Sequence, residues 1–170
     1  MATPTTLPAS FVSGDVLTAA QMNALRGAFR VLQVQIGTTS TTNSNSTTTL
    51  ADSGLSVTIT PQSSSSTILV YVAQNGVWKS NANAGNGVTL ALLRGASVLT
   101  YFATGVAYTG TALELNSAAS AMWLDTPATT SATTYKTQIA NRVAAATVSA
   151  QYSTGIGTPT SYIVAMEISA

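Results

Sequence analysis

Cysteine and histidine are both absent from this chain of 170 residues, and each absence closes a class of chemistry. Without thiols there are no disulfides and no thiolate metal sites. Without imidazole, Ser-His-Asp and Cys-His nucleophile schemes and His-based metal motifs are excluded. Charge is scarce too: six Lys and Arg and five Asp and Glu make up 6% of the residues, against roughly a quarter in ordinary soluble domains. Six scattered bases build no cationic patch, so no nucleic-acid partner is expected. The longest apolar run, Ile68 to Ala73, is far too short to span a bilayer. The stretch Met1–Phe11 has neither the basic region nor the apolar core of a secretory signal. No membrane partner is expected either.

Threonine and serine fill the gap, with 29 and 20 copies. Such a surface stays polar without carrying charge. Because 45% of the residues are hydrophobic and the formal net charge is only +1, little charge holds copies of the chain apart. Composition therefore favours a protein that works inside an assembly.

The chain divides into three stretches. Residues 1–14 read as an extended anchoring arm: Pro4 and Pro8 oppose helix, and only Phe11 and Val12 offer apolar side chains for a partner's pocket. Residues 15–36 read as helix and connector. Thr18 and Gln21 form a T-x-x-Q capping box, and Met22, Leu25, Phe29, Leu32 and Ile36 follow a 3-4-3-4 spacing that keeps one seam along a helix. That seam fits either packing on its own domain or a short bundle about an oligomer axis.

Residues 37–170 read as a β-sandwich module, jelly-roll-like and antiparallel, which makes the fold class mainly β. Leu55, Val57 and Ile59 alternate with Ser56, Thr58 and Thr60, as in a strand with one wet face. Ile68 to Val72 is apolar on both faces, as in a central or interface strand. Val88–Leu93 and Ser97–Phe102 flank a hairpin turn at Arg94-Gly95-Ala96. Further strands are expected at Ala112–Leu115, Ala121–Leu124, Thr133–Ala140, Ala146–Tyr152 and Ser161–Ile168, with polar loops or weak edge strands at 38–49 and 80–87.

Motifs for catalysis are wanting. Glu114 and Glu167 stand between apolar neighbours and should point off the wet faces of strands. Asp52 and Asp125 sit in turn-capping contexts, and Asp15 lies near the helix entrance. Gly85-Asn86-Gly87 and Gly155-Ile156-Gly157 lack the rest of a dinucleotide fingerprint. No catalytic, metal-binding or cofactor-binding residue is assigned, and no cofactor is expected. The aromatic residues mostly occupy core contexts. Trp78, with Lys79 and the neighbouring Asn81, Asn83 and Asn86, is the best candidate for an exposed contact, where indole and amides suit a sugar.

Gly14-Asp15-Val16-Leu17-Thr18-Ala19-Ala20-Gln21-Met22-Asn23 resembles the G-D-V-L-T-A-A-x-x-N opening of many tailed-phage virion proteins, described as head or tail fibre, minor tail or decoration proteins. Later segments resemble a jelly-roll module of phage fibres: Asp52-Ser53-Gly54-Leu55, Ile59-Thr60-Pro61, Ser66 to Val70, Leu92-Leu93-Arg94-Gly95, Leu124-Asp125-Thr126-Pro127, Thr133-Thr134-Tyr135 and Met166-Glu167-Ile168. Thr67 stands where that module usually carries Lys. The resemblance implies a homotrimeric β-sandwich on the virion surface, used for attachment or decoration. Its partners would be copies of itself, the major capsid protein or tail proteins, and a host surface glycan. No shaft repeat separates arm from module, which favours a compact cement or head-fibre protein over a long tail fibre.

Overall fold

The computed structural model describes Val16, Thr18, Ala19 and residues 31–169. Asp15, the arm residues Phe11 and Val12, and the helix positions Met22, Leu25 and Phe29 lie outside the described residues.

Among the described residues ten strands follow one another: β1 (Val31–Thr39), β2 (Asn43–Asn45), β3 (Ala51–Ile59), β4 (Thr67–Lys79), β5 (Val88–Arg94), β6 (Ser97–Val106), β7 (Leu115–Asp125), β8 (Thr133–Asn141), β9 (Val148–Ala150) and β10 (Ser161–Ile168). One sheet runs β1-β10-β4-β9-β2, with β7 along the other side of β4; the second runs β3-β8-β5-β6, and all pairings are antiparallel. Setting aside the short β2 and β9, the orders β1-β10-β4-β7 and β3-β8-β5-β6 are those of a jelly roll, as expected from the strand pattern.

Two expectations need correction. Leu32 and Ile36, assigned above to a helical seam, lie on β1, which begins at Val31 inside the stretch read as helix and connector. Between Leu32 and Ile36 the residues Val34 and Ile36 also alternate with Gln33 and Gln35, so a period of two competes with the heptad spacing. Eight backbone pairings with β10 decide for the strand. Likewise Ala112 and Leu113 are loop residues, and the strand begins at Leu115 and runs without interruption to Asp125, through the expected Ala121–Leu124.

The core lies between the sheets in two apolar clusters. One gathers Leu55, Ile59, Ile68, Val70, Leu92, Tyr135 and Ile163; the other gathers Val77, Val88, Leu90, Ile139 and Val148. Buried polar side chains also lie between the sheets: Thr137 donates to Gln74 Oε1 at 2.7 Å and shares a hydrogen bond with Ser53. Hydrogen-bonded to one another in this way, Gln74, Thr137 and Ser53 help to fix how the two sheets pack.

Directly paired residues of antiparallel strands point to the same side of a sheet. In the first sheet, Ile68, Val70 and Val72 of β4 point inward and are fully buried. Leu69 and Tyr71 therefore point outward. Following the register across the sheet, Leu69 aligns with Val34, Met166 and Leu124, and Tyr71 with Ile36, Val164 and Met122. The outer side of this sheet thus carries two apolar rows, each crossing four strands.

Candidate interaction surfaces

The side chains singled out around Trp78 separate in the structure. Lys79 is fully buried rather than exposed. It ends β4, and its ammonium donates to Thr109 Oγ1 and the Thr111 carbonyl, each at 3.1 Å, beneath the loop entering β7. Asn86 is buried as well, because its amide holds the loop together by donating to the carbonyls of Ser80 (3.3 Å) and Thr147 (3.2 Å). Asn81 and Asn83 are exposed, as expected, and Asn83 Oδ1 accepts from the Gly85 amide at 2.7 Å.

Trp78 keeps a partly exposed edge beside a cleft that the sequence did not reveal. Gly76 takes φ +60° at an irregularity of β4, where a Cβ would lie 2.6 Å from the Tyr152 amide nitrogen. That close approach lets the amides of Gln151 and Tyr152 donate to the carbonyls of Asn75 and Gly76. Tyr152 is thereby held against Trp78, ring centroids 4.3 Å apart. Trp78 Nε1 donates to Glu114 Oε1 at 2.7 Å, and Asn116 Nδ2 to the Tyr152 carbonyl at 3.3 Å. The adjoining cleft, about 340 Å³, is lined by Asn116, Tyr152, Ser153, Thr154 and residues 156–159.

The acids occupy different places from those expected. Asp125 is no turn cap: it is buried at the end of β7, where Arg94 Nη1 donates to both its oxygens (3.0 and 2.9 Å) and Tyr135 Oη donates at 2.7 Å. Burial and the Asp125 carboxylate raise the Tyr135 hydroxyl far above its ordinary value, so it stays a donor. Glu167 is fully buried instead of facing water. Burial pushes its pKa up, yet hydrogen bonds from Gln33 Nε2 (2.6 Å) and the Gln62 amide (2.7 Å) hold it below the ordinary value. Asp52 lies on β3, lowered by Lys136 and Gln138 of β8. Glu114 is a loop residue serving Trp78 rather than a strand residue.

These positions give several of the segments named in the sequence a physical role. Arg94, Asp125 and Tyr135 come from three separate segments and meet in one cluster that ties β5 and β8 to β7. Glu167 of the closing segment receives the amide that follows Pro61. Such residues hold the two sheets together. Among the described residues no three His, Cys, Asp or Glu side chains group as a metal site, and no helix is long and apolar enough to cross a membrane.

The apolar outer face of the first sheet draws on separate segments of the sequence. Ile36 belongs to the expected helical seam, and Met122 and Leu124 to a short expected strand. Only the register brings them together with Tyr71. No protein-family model and no curated protein matches the chain.

Proposed function

We propose that this chain is a non-enzymatic structural protein of a tailed-phage virion, a trimeric decoration protein of the cement or head-fibre kind. The observation that carries the reading is the ordered series of segments from Gly14 to Ile168, whose polar members become the clamps of a charge-poor β-sandwich. The described acids support it, since each is engaged by a structural neighbour. In this reading residues 1–14 anchor the molecule to the major capsid protein through Phe11 and Val12, and the sandwich is displayed at the particle surface.

Quantitative mass spectrometry of purified virions of the encoding phage tests it. A copy number scaling with the capsid subunits is expected, and absence from the particle overturns the reading. Deleting residues 2–13, or Phe11→Ala, should leave a folded β protein that binds undecorated particles at least about tenfold more weakly, because one buried phenyl ring is worth roughly 1.5–3 kcal/mol.

A second reading, a tail-fibre or tail-tip protein contacting a host glycan, is favoured by the cleft beside Trp78 and Tyr152. A handful of copies per particle, with tryptophan fluorescence that responds to host-surface polysaccharide, would select it.

A further inference from the structure

Two surfaces of the sandwich are apolar, adjoining and uncharged. The first is the outer face of β1-β10-β4-β7 with its two apolar rows, where Ile36 is 65% exposed, Met122 68% and Leu124 57%. None of the eight row positions carries a charge. The second is the margin formed by β6 and β7, each the last strand of its sheet. There Tyr101 is 56% exposed, and Leu99 and Phe102 pack on the core while only partly covered. Neither β6 nor β7 has a charged side chain before Asp125. Strand β7 belongs to both surfaces, and one backbone edge of it is unpaired among the described strands.

We propose that the apolar outer face seats the β6–β7 margin of a second copy of this chain, repeated head to tail around a closed ring. The inference rests on the self-assembling reading above and names the surfaces that would perform it. Charge complementarity selects the occupant. A partner bringing Lys, Arg, Asp or Glu onto this face would strip water from a charge and find no counter-charge there. The chain's own margin brings none. The two surfaces also differ in shape, one a broad face and the other a narrow edge. A face-to-face pair would leave the β6–β7 margin and the unpaired edge of β7 in water. A head-to-tail contact covers both, and closing the ring leaves no open edge for further growth.

Light scattering after size exclusion, on the full chain at micromolar concentration, tests the assignment. Ile36→Lys on the face and Tyr101→Lys on the margin alter exposed side chains, so their circular dichroism should match the parent, while their melting point falls only by what the lost association contributed. Thr58→Lys, on the outer side of the other sheet, is the control. The parent and the control should be oligomeric, while each of the two variants should be monomeric, its association weakened at least about a hundredfold by a charge in an apolar contact. Mixing the two monomeric variants should restore a dimer, because the face of one and the margin of the other remain intact. If Tyr101→Lys alone still associates, the contact is face to face and the proposal is overturned. If both variants assemble like the parent, the surfaces are wrong while the self-assembling reading stands. A monomeric parent overturns both.

Discussion

The two long margins of the sandwich are built on opposite principles. Along one, β1 lies so close to β3 that a Cβ on Gly37 would fall 1.8 Å from the Ser56 carbonyl oxygen. Gln33 bridges the same seam, donating to the Thr60 carbonyl and to Glu167. Along the other, Leu99, Phe102 and Trp123 are left partly in water between β6 and β7. A closed margin can be finished within one chain by a residue without a side chain and a few hydrogen bonds. An open margin exposes apolar surface that one chain cannot cover, and is reasonable only where something else does.

The sharpest way to break this contrast is to force the closed margin apart. Gly37→Val would drive a branched side chain into backbone, and neither strand can yield without losing its ladder. A loss of about 3 kcal/mol or more is expected, at the upper end for overpacked sites. The same valine on the open margin, Thr104→Val on exposed β6, should change stability by less than about 0.5 kcal/mol. Urea denaturation of both variants makes the comparison, and equal losses would show the two margins to be alike.

Next in size is the cluster that tethers the open side. Asp125 ties β7 to Arg94 and Tyr135 of the other sheet. Asp125→Ala leaves a buried hydroxyl and a half-exposed guanidinium without their acceptor, which should cost about 2–3 kcal/mol. Tyr135→Phe removes one hydrogen bond and should cost about 1–1.5 kcal/mol. In the double variant the losses should fall short of additive, because both substitutions break the same contact.

Most of the fold was legible in the chain, for reasons tied to particular residues. Leu55, Val57 and Ile59 alternate cleanly because one face of β3 is buried and the other wet, and Ser161–Ile168 was bounded by its own apolar pattern. The exposed apolar face was not legible. Val34 and Ile36 point to the outside of the molecule, so their pattern has no single reading, and the heptad spacing takes in Ile36. Asp125 in Leu-Asp-Thr-Pro reads as a turn cap, and Glu167 beside its apolar neighbours reads as outward-facing, unless their donors are known. Gln33, Arg94 and Tyr135 are 134, 31 and 10 residues away, so no local window contains them. Lys79 reads as an exposed contact because its partners Thr109 and Thr111 lie in another loop, and Asn86 because a partner of its amide, Thr147, lies far along the chain.

A smaller effect concerns acid. Glu167 is held below its ordinary value of 4.5 in the folded protein. A carboxylate depressed in this way stabilises the fold fully above the unfolded value and loses that contribution as pH falls through the folded one. Stability should therefore be flat near neutrality and decline below about pH 4.5, in the window where the unfolded chain binds the proton first. Asp52, also lowered, adds in the same direction. Glu167→Gln should flatten the decline, although it lowers stability at neutral pH. A decline of unchanged slope would show that other carboxylates govern it.

The smallest expected effect is the ion pair of Asp52 with Lys136, 2.8 Å apart between β3 and β8. These are the only paired charges besides Arg94 and Asp125 among the described residues. The Asp52 side chain is more than half exposed. Water competes for both partners and salt screens what attraction remains, so the coupling should be only about 0.2–1 kcal/mol. Gln138 donates to the same carboxylate at 2.7 Å, which keeps part of the contact when Lys136 is lost. A double-mutant cycle of Asp52→Asn and Lys136→Met, run at low and at high salt, measures the coupling and its screening. It should shrink toward zero at molar salt, whereas the Arg94–Asp125 coupling, with Asp125 largely out of water, should persist. Equal salt sensitivity of the two pairs would mean that the Asp125 cluster is as wet as the surface, and that the open margin lets water reach the interior.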